Sequence, residues 1–535
     1  MRGCAQLNSN FARFWRINTR LISASWFALI PWTIALICGA AAAFSFPRPN
    51  WDGLSWVCWI PLLFVVTRMR LTRRIALSWL AGVVMFTISL RWITETMINY
   101  GGMSSVMAYL TLVLLTAYLA IYPAGAIVGS EWLYRQLRLP FLATLPILWV
   151  AGEWVRGIAL TGFPWNLMGY AAWQRLPLIQ VAEYTGVHGI SWLMMASNAA
   201  IADVSLERNR RALARLVCFG IALGVLILAG SRVLQTQRPV DEPLQIALVQ
   251  GNISQDEKWS PQLRARNARV YVELTTNAFA EGAEVVIWPE AAIGVYHSHA
   301  DRYRYSDSES IKDAIASVVP PGRQLILGTP DLDGKGNHYN GALILGERGE
   351  IQGRYLKQHL VPFGEYVPLR KLLFFVDKIT PLPDDFTAGA DPSVLEVRGV
   401  PTGIYICYET AFPDLLREFR ARGAQMLINL TNDAWFGLSD GPYQHFAMTI
   451  FRAVESRVPI VRCANTGISG IVDPWGRVLS KTNLLQRTVL QEKISPAPGS
   501  SFYAHHGALW AHINLGLTAL LVAFAWRRKS RNGAQ

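Results

Sequence analysis

Eight long apolar runs constrain this chain more than any other feature of its sequence. Seven of them fill the first 233 residues, and the eighth lies near the C-terminal end. A helix that crosses the hydrocarbon core of a membrane needs about 20 predominantly apolar residues. We therefore predict a multi-pass α-helical membrane domain with about eight spans. The predicted spans are 21–45, 54–67, 75–93, 103–127, 141–156, 187–204, 212–232 and 508–526.

Three of these runs have alternative interpretations. The runs at 54–67 and 187–204 are marginal in length, and the alternative for each is a buried or re-entrant segment. The first run follows a basic segment, as the apolar region of a signal peptide does. That region is about 7–15 residues long, and the run at 21–45 is longer, so we expect a spanning helix.

The basic residues of the membrane part lie in alternate loops. With eight spans, five segments fall on one side: the N-terminal segment, the loops after spans two, four and six, and the C-terminal tail. The positive-inside rule makes that side cytoplasmic and places the large segment 233–507 outside the cytoplasm. The basic residues are Arg2, Arg13, Arg16, Arg20, Arg68, Arg70, Arg73, Arg74, Arg135, Arg138, Arg208, Arg210, Arg211, Arg215, Arg527, Arg528, Lys529 and Arg531.

Composition agrees with a membrane protein. Only 16% of the 535 residues are charged, whereas a soluble domain carries about 25%. The net charge is +13, and the five segments above carry more positive charge than that. The rest of the chain therefore needs no basic surface, and we expect no nucleic-acid partner. Six Cys in a chain of this length exclude a disulfide scaffold.

The pattern changes at residue 244. Short β-branched runs there alternate with amphipathic helical stretches, which is typical of a layered α/β fold. We predict a membrane domain at 1–233, an α/β domain at 244–494 outside the cytoplasm, and a closing helix at 508–526. The predicted strands are 244–252, 285–290, 324–330, 341–346, 402–409, 425–433 and 458–467, and the predicted helices lie near 261–281, 307–318, 412–423 and 443–456.

Three polar residues near predicted strand ends form a candidate nucleophilic site. Glu290 ends VVIWPE, Lys357 lies in RYLKQHLVPFGEYVP, and Cys407 ends IYIC. A carboxylate can take the proton of a thiol, and an ammonium can stabilise a thiolate and a developing oxyanion. Taken singly, each residue also has a structural interpretation: a turn carboxylate, a solvated lysine and a small buried thiol. The presence of all three signatures favours the catalytic interpretation.

The ordered motifs resemble a known family. WPE, HLVPFGEYVP and ICYE resemble the nitrilase, or carbon–nitrogen hydrolase, superfamily. Together with NDAWFG, GPYQHF and NTGISGIVDPWG, and with GGM and TGFPWN in the membrane part, they resemble the apolipoprotein N-acyltransferase family. The resemblance implies a nitrilase-like αββα sandwich beside the membrane helices. It also implies a bacterial inner-membrane enzyme with a periplasmic catalytic domain.

The resemblance further implies the last step of bacterial lipoprotein maturation. An acyl chain passes from a phospholipid, typically phosphatidylethanolamine, to the α-amino group of the diacylglyceryl-cysteine of an apolipoprotein. Cys407 is then the nucleophile, Glu290 the general base and Lys357 the electrostatic stabiliser. The expected supporting residues are Glu365, Tyr408, Glu409, Trp259 and Asn340. The family often has WPES where this chain has Ala291, which puts only a supporting hydroxyl in doubt.

These residue types give a ping-pong reaction through a thioester. A free thiol has a pKa near 8.5, and we expect Lys357 and Glu290 to favour the thiolate. The backbone N–H of Tyr408 is a second candidate donor to the oxyanion. This chemistry requires no metal, nucleotide or redox cofactor.

Several other polar residues have a structural interpretation. His297, His299, His505 and His506 lack a further ligand at a metal spacing, so we expect solvated loop residues. His359 and His445 lie inside the motifs and are expected to be hydrogen-bonded scaffold. Cys463 lies in an apolar run and is expected to be a buried free thiol, although a bond to Cys407 is conceivable in an oxidising compartment.

Two other functions compete with acyl transfer. One is a membrane-anchored amidase or nitrilase, which would use the same three residues with water as acceptor. The other is a transporter, for which Glu153 and Arg156 in the fifth span are the candidate intramembrane charges. The segment 369–383 holds apolar residues flanked by basic ones, and its interpretations are a membrane-dipping lid or a core element.

Overall fold

The computed structural model describes residues 28–236, 243–294, 308–367 and 385–533. The predicted lid segment 369–383, His297 and His299 lie outside the described residues.

The N-terminal part is helical throughout. Its helices are Ala28–Phe44, Ile60–Val66, Leu71–Ser89, Trp92–Asn99, Ser105–Leu119, Ile121–Leu137, Leu145–Ile158, Leu176–Ile179, Ala182–Thr185, Val187–Glu207 and Arg210–Thr236. The chain returns to this part with the helices Phe502–His506 and Leu509–Gly533, after the α/β domain.

Five stretches of helix among the described residues are long and apolar enough to cross a membrane. They are Leu71–Ser89, Ser105–Leu137, Phe141–Thr161, Arg210–Gln235 and Leu509–Arg531, and two shorter apolar stretches are Ala28–Phe44 and Asp52–Val66. The weak run at 54–67 forms a 3₁₀ turn and a short helix. The weak run at 187–204 forms a full helix, most of whose residues are buried inside the helical part. The structure thus gives a helical membrane part with several apolar helices.

One span begins earlier than its hydropathy indicates. The predicted span at 75–93 excludes Arg74, yet the helix Leu71–Ser89 contains it. Arg74 and Arg135 both form ion pairs with Glu131, whose side chain is fully buried. A buried charge that is paired and hydrogen-bonded can lie inside a helical bundle, which a hydropathy average does not detect.

The α/β domain contains two six-stranded sheets. The strands are β1 Leu244–Gln250, β2 Val285–Ile287, β3 Gln324–Leu332, β4 His338–Leu345, β5 Ile351–Leu356, β6 Val394–Val397, β7 Val400–Ile406, β8 Met426–Thr431, β9 Ile460–Ala464, β10 Gly470–Val472, β11 Val478–Lys481 and β12 Thr488–Ile494. The first sheet has the order β12-β1-β2-β3-β4-β5, and the second has the order β11-β10-β9-β8-β7-β6.

The two sheets share one pattern of strand directions. In the first sheet β1, β2 and β3 run parallel, with antiparallel neighbours on both sides. In the second sheet β7, β8 and β9 run parallel in the same arrangement. Parallel strands end at the same edge of a sheet, so the residues that follow β7 and β8 lie at one edge of the second sheet. Glu290, which follows β2 in the first sheet, meets that edge through its hydrogen bond with Asn432.

Helices cover the outer faces of the sheets. Arg264–Ala280 and Ser308–Val318 pack on the first sheet, and Pro413–Ala421 and Gly441–Ser456 pack on the second. A short helix, Gln255–Lys258, follows β1. All seven predicted strands and all four predicted helices are present, whereas β5, β6, β10, β11 and β12 were not predicted.

The helical part and the α/β domain meet at helix Gly441–Ser456. The side-chain oxygen of Gln444 accepts hydrogen bonds from Trp165 at 2.8 Å and from Trp92 at 3.2 Å. The amide nitrogen of Gln444 donates to the carbonyl of Ser89 at 2.9 Å. One buried amide thus ties two membrane-part tryptophans to the domain that carries the candidate site.

Candidate active site

The structure brings the three candidate residues together. Glu290 follows β2, Lys357 follows β5, and Cys407 follows β7. The Lys357 ammonium lies 3.4 Å from the Glu290 carboxylate. Both charges affect the pKa of Cys407, and all three side chains are buried.

The Glu290 carboxylate is held from both sheets. One oxygen accepts from the side-chain amide of Asn340, on β4, at 2.7 Å. The other accepts from the backbone N–H of Asn432, just after β8, at 2.9 Å. A buried carboxylate with donors on both oxygens keeps a fixed orientation, as a general base requires.

Lys357 is shared between two carboxylates. Its ammonium donates to Glu365 at 2.8 Å, and Glu365 also accepts from Asn340 at 2.8 Å and from the backbone N–H of Val361 at 2.8 Å. Burial alone would lower the pKa of Lys357. The negative charges of Glu365 and Glu290 outweigh burial and raise that pKa above the ordinary lysine value, so Lys357 is an ammonium.

Cys407 has a strained backbone. Its φ is +50°, in the left-handed region that non-glycine residues rarely adopt. Its carbonyl accepts from Nε2 of His445 at 3.0 Å and from the hydroxyl of Thr410 at 2.9 Å. Strain of this kind costs about 1–3 kcal/mol and persists only where surrounding contacts impose it.

Glu409 holds the turn that presents Cys407. Its carboxylate accepts from the backbone N–H of Ile406 at 2.6 Å, of Gln358 at 2.7 Å and of His359 at 3.0 Å. It also accepts from the Tyr355 hydroxyl at 2.9 Å. Burial raises the pKa of Glu409 to about 7, although the backbone donors act in the opposite direction. Glu409 therefore links the segment after β5 to the turn after β7.

His445 belongs to a buried chain of polar groups. Burial and the nearby Arg462 lower the pKa of His445, so the ring is neutral. A carbonyl only accepts, so Nε2 carries the proton and donates to Cys407, while Nδ1 lies 3.0 Å from both the Arg462 guanidinium and the Asp433 carboxylate. Arg462 also pairs with Asp433 at 2.7 Å. His445 is thus hydrogen-bonded scaffold, as the sequence predicted.

The resting thiol differs from the sequence-based expectation. Burial is the largest cause that raises the pKa of Cys407, and the Glu290 carboxylate raises it further, whereas Lys357 lowers it. Cys407 is therefore a neutral thiol at rest, and Lys357 does not produce a standing thiolate.

The remaining candidate residues lie around this centre. Tyr408 is buried, and the Trp259 side chain is about half exposed. Ala291 has a φ of +43° and leads the chain away from Glu290.

Cys407 and Cys463 are both free thiols. His359 stacks on Phe412, and His505 bonds to Ser500.

The sequence analysis missed two contributors. Asn432 lies in the motif NDAWFG, but only the structure shows its backbone N–H on Glu290. Lys258 immediately precedes Trp259, and its ammonium donates to the main-chain carbonyl of Glu290 at 3.2 Å. Its position beside a family motif residue was the one available signal.

The intramembrane charges bond to a loop. Arg156 donates to the carbonyls of Phe163 at 3.2 Å and Trp165 at 2.7 Å. Glu153 accepts from the backbone N–H of Met168 at 2.7 Å. Both residues therefore shape the loop after their own helix, which is a structural role.

Gly328 provides a test of the site geometry. A Cβ at Gly328, on β3, would lie 2.2 Å from the carbonyl oxygen of Pro289 and 2.9 Å from Cα of Glu290. We expect Gly328→Ala to displace Glu290 and to slow the reaction of Cys407 with a small thiol reagent by about 100-fold. The rate is measured by mass spectrometry of the labelled protein.

The matched control is Gly334→Ala. No atom lies within 4 Å of a Cβ at Gly334, in the turn after β3. The control should react at the wild-type rate. If Gly328→Ala folds and also reacts at the wild-type rate, the described position of Glu290 is wrong.

Comparisons with known proteins match both the helical part and the α/β domain. Residues 38–200 match the family model "Apolipoprotein N-acyltransferase N-terminal domain", and residues 245–500 match "Carbon-nitrogen hydrolase". The apolipoprotein N-acyltransferase of Geobacter metallireducens is 36% identical over 514 residues, which cover 93% of this chain and 95% of its own. That of Methylococcus capsulatus is 33% identical over 465 residues, with 85% and 88% covered.

Saccharomyces cerevisiae Nit3, a member of branch 10 of the nitrilase superfamily, is 22% identical to this chain. It aligns with a TM-score of 0.37 over 49% of this chain and 93% of its own. The two family models match in the order of the chain, and the curated relatives share 30% or more identity over most of its length. The protein therefore belongs to the apolipoprotein N-acyltransferase family.

Proposed function

We propose that this enzyme transfers an acyl chain from a membrane phospholipid to the N-terminal amino group of a diacylglyceryl-apolipoprotein. One observation carries the proposal. The residue next to the nucleophile, Tyr408, donates its hydroxyl to the carbonyl of Gly162 in the membrane part at 3.4 Å. A site built against the membrane helices suits a lipid donor and a lipid-modified acceptor.

Aromatic contacts support this placement. Trp165 belongs to the TGFPWN motif of the membrane part. Its ring lies over Tyr408, with ring centroids 6.3 Å apart. Trp165 also lies 5.5 Å from the His445 ring. Both partners belong to the α/β domain, so the membrane part forms one wall of the site.

The first half-reaction acylates Cys407. Glu290 takes the thiol proton, and the sulfur attacks the carbonyl carbon of a phospholipid ester. Lys357 stabilises the resulting oxyanion, and the N–H of Tyr408, in the first turn of a 3₁₀ helix, is a second donor. The carbon–oxygen bond then breaks, Glu290 returns the proton to the glycerol oxygen, and a lysophospholipid leaves. A thioester remains on Cys407.

The second half-reaction transfers the acyl chain. The neutral α-amino group of the acceptor attacks the thioester carbon, and Glu290 takes one proton from the nitrogen. The carbon–sulfur bond breaks, and the proton passes from Glu290 to the sulfur. The products are an amide and the original neutral thiol. Phosphatidylethanolamine is the expected donor.

The hydrolase alternative uses the same first step with a different acceptor. Water would then cleave the acyl-enzyme, and a single anchor would suffice. The wall formed by Gly162 and Trp165 favours acyl transfer over hydrolysis, because a hydrolase acting on soluble substrates has no use for membrane helices at its nucleophile.

The proposed placement is the bacterial inner membrane with the α/β domain in the periplasm. We infer eight spans for the membrane part at 1–233 together with the closing helix at 508–526, and a catalytic domain at 244–494. The support is the one-sided distribution of basic residues in the sequence. Ion pairs such as Arg215 with Glu207 lie at the end that this topology makes cytoplasmic.

Removal of the thiol tests the intermediate. We expect wild-type protein supplied with phospholipid but no acceptor to carry an acyl adduct on Cys407. Cys407→Ala should lose both the adduct and turnover, because no other atom can hold the acyl chain in this scheme. Intact-protein and peptide mass spectrometry measure the adduct, and substantial acyl transfer by Cys407→Ala would refute the thioester.

Substitution of the charged residues tests their roles. Glu290→Gln should slow adduct formation by about 10²–10⁴-fold as the base is lost, and Lys357→Ala by about 10²–10³-fold as an oxyanion donor is lost. Single-turnover labelling measures both. The control is Lys335→Ala, an exposed lysine in the turn after β3. Near wild-type speed in Glu290→Gln or Lys357→Ala would contradict the assigned role.

Accessibility labelling tests the topology. In a Cys218→Ser background, Ser254→Cys should react with a membrane-impermeant maleimide in cells whose inner membrane is intact, because Ser254 is exposed on the α/β domain. The control, Ser530→Cys on the closing helix, should react only after the inner membrane is permeabilised. The reverse order of labelling would exclude the proposed orientation.

A further inference from the structure

The active site contains a second buried ammonium that the proposed chemistry does not use. Lys258 ends the short helix Gln255–Lys258 and is only 2% exposed. Its ammonium lies 3.2 Å from the main-chain carbonyl of Glu290, not on the carboxylate. A lysine rarely lies so deep in a protein unless its charge has a partner.

The contacts of the short helix fix this ammonium in place. Gln255, at the other end of the helix, accepts from the side-chain amide of Asn432 at 2.9 Å. The backbone N–H of Asn432 donates to the Glu290 carboxylate at 2.9 Å. The helix Gln255–Lys258 is therefore hydrogen-bonded both to the main chain of Glu290 and to Asn432, which binds the Glu290 carboxylate.

The balance of buried charges around Glu290 explains why a buried ammonium is present at Lys258. The charged groups that face Glu290 are Lys357 after β5, Glu365 eight residues later, Lys258 after β1, and Cys407 when its thiol is ionised. Asn340 and Asn432 also face Glu290 and are neutral. Without Lys258, two carboxylates would share one ammonium and leave a buried net negative charge. With Lys258, these two carboxylates and two ammonium groups carry no net charge.

We propose that Lys258 is a positioning residue that holds the main chain of Glu290 and supplies a second countercharge beside its carboxylate. The proposal rests on the assignment of Glu290 as the general base. Burial lowers the pKa of Lys258 to about 8, while the negative charge of Glu290 opposes that effect. Lys258 therefore remains mostly protonated at neutral pH. Because it contacts the carbonyl, it leaves the carboxylate oxygens free to accept the thiol proton.

The predicted signature is a shift in pH dependence. A base acts only when it is ionised, so at acid pH the rate of the Cys407 reaction rises tenfold per pH unit. We call this rising part of the pH–rate profile the acid limb. Loss of a nearby positive charge makes a carboxylate hold its proton to higher pH. The acid limb of the Lys258 variants should therefore lie about one pH unit higher than that of the wild type. At pH values on the acid limb, the variant reacts about tenfold more slowly than wild type. At pH values above the limb, it reacts at the wild-type rate.

The experiment measures alkylation of Cys407 by iodoacetamide in purified full-length protein, across the pH range of the limb. Lys258→Met removes the charge and the donor, whereas Lys258→Gln removes the charge and keeps an N–H donor. Both should shift the limb, and exposed Lys335→Met should not. A wild-type limb in Lys258→Gln would show that only the hydrogen bond matters and would overturn the countercharge. A rate lowered equally at every pH, or failure of both variants to fold, would overturn it as well.

A further variant separates this proposal from the assignment on which it rests. Glu290→Gln should abolish the acid limb. If the limb persists in Glu290→Gln, the general base is another group and the proposed mechanism fails. If the limb disappears in Glu290→Gln but stays unshifted in both Lys258 variants, only the role of Lys258 fails.

Discussion

The buried charges around Glu290 are the constraint on which the rest of the site depends. Lys357 lies between Glu290 and Glu365, and Asn340 donates to both carboxylates. Each of these charges would be costly to bury alone, because desolvation penalises an unpaired ion by several kcal/mol. They are tolerated only together and only with their hydrogen bonds made. The ends of β2, β4 and β5 must therefore converge, and the first sheet is arranged so that they do.

The second sheet contributes Cys407 in a strained but uncharged form. Its φ is +50°, and His445 and Thr410 donate hydrogen bonds to its carbonyl. Burial is the largest cause that keeps the thiol protonated. A neutral resting thiol is less reactive toward soluble electrophiles and oxidants than a thiolate. In the proposed reaction, nucleophilicity therefore depends on proton transfer from Cys407 on the second sheet to Glu290 on the first.

Sequence patterns predicted the central strands for a physical reason, and the structure brings the three candidate residues together. Central parallel strands such as β2 are buried along their whole length and are apolar. Edge strands are not: β12 contains Gln491, Glu492 and Lys493, and its half-exposed residues give no clear period. Lys258 was missed because a lysine in a polar segment gives no sign of burial. Its partner is a main-chain carbonyl 32 residues away, and only the tertiary structure brings the two together.

The membrane part is a wall of the active site as well as an anchor. Arg156 is a buried cation in an apolar helix, and its three carbonyl partners, which include Trp165 and Asn166, all lie in the loop after that helix. That loop places Gly162 against Tyr408 and Trp165 against Gln444. At Gly162, a Cβ would lie 2.1 Å from the carbonyl of Gly157, so the close turn requires glycine. A buried charge in an apolar helix therefore fixes a loop that reaches Tyr408, beside Cys407, and both parts of the chain contact the candidate site.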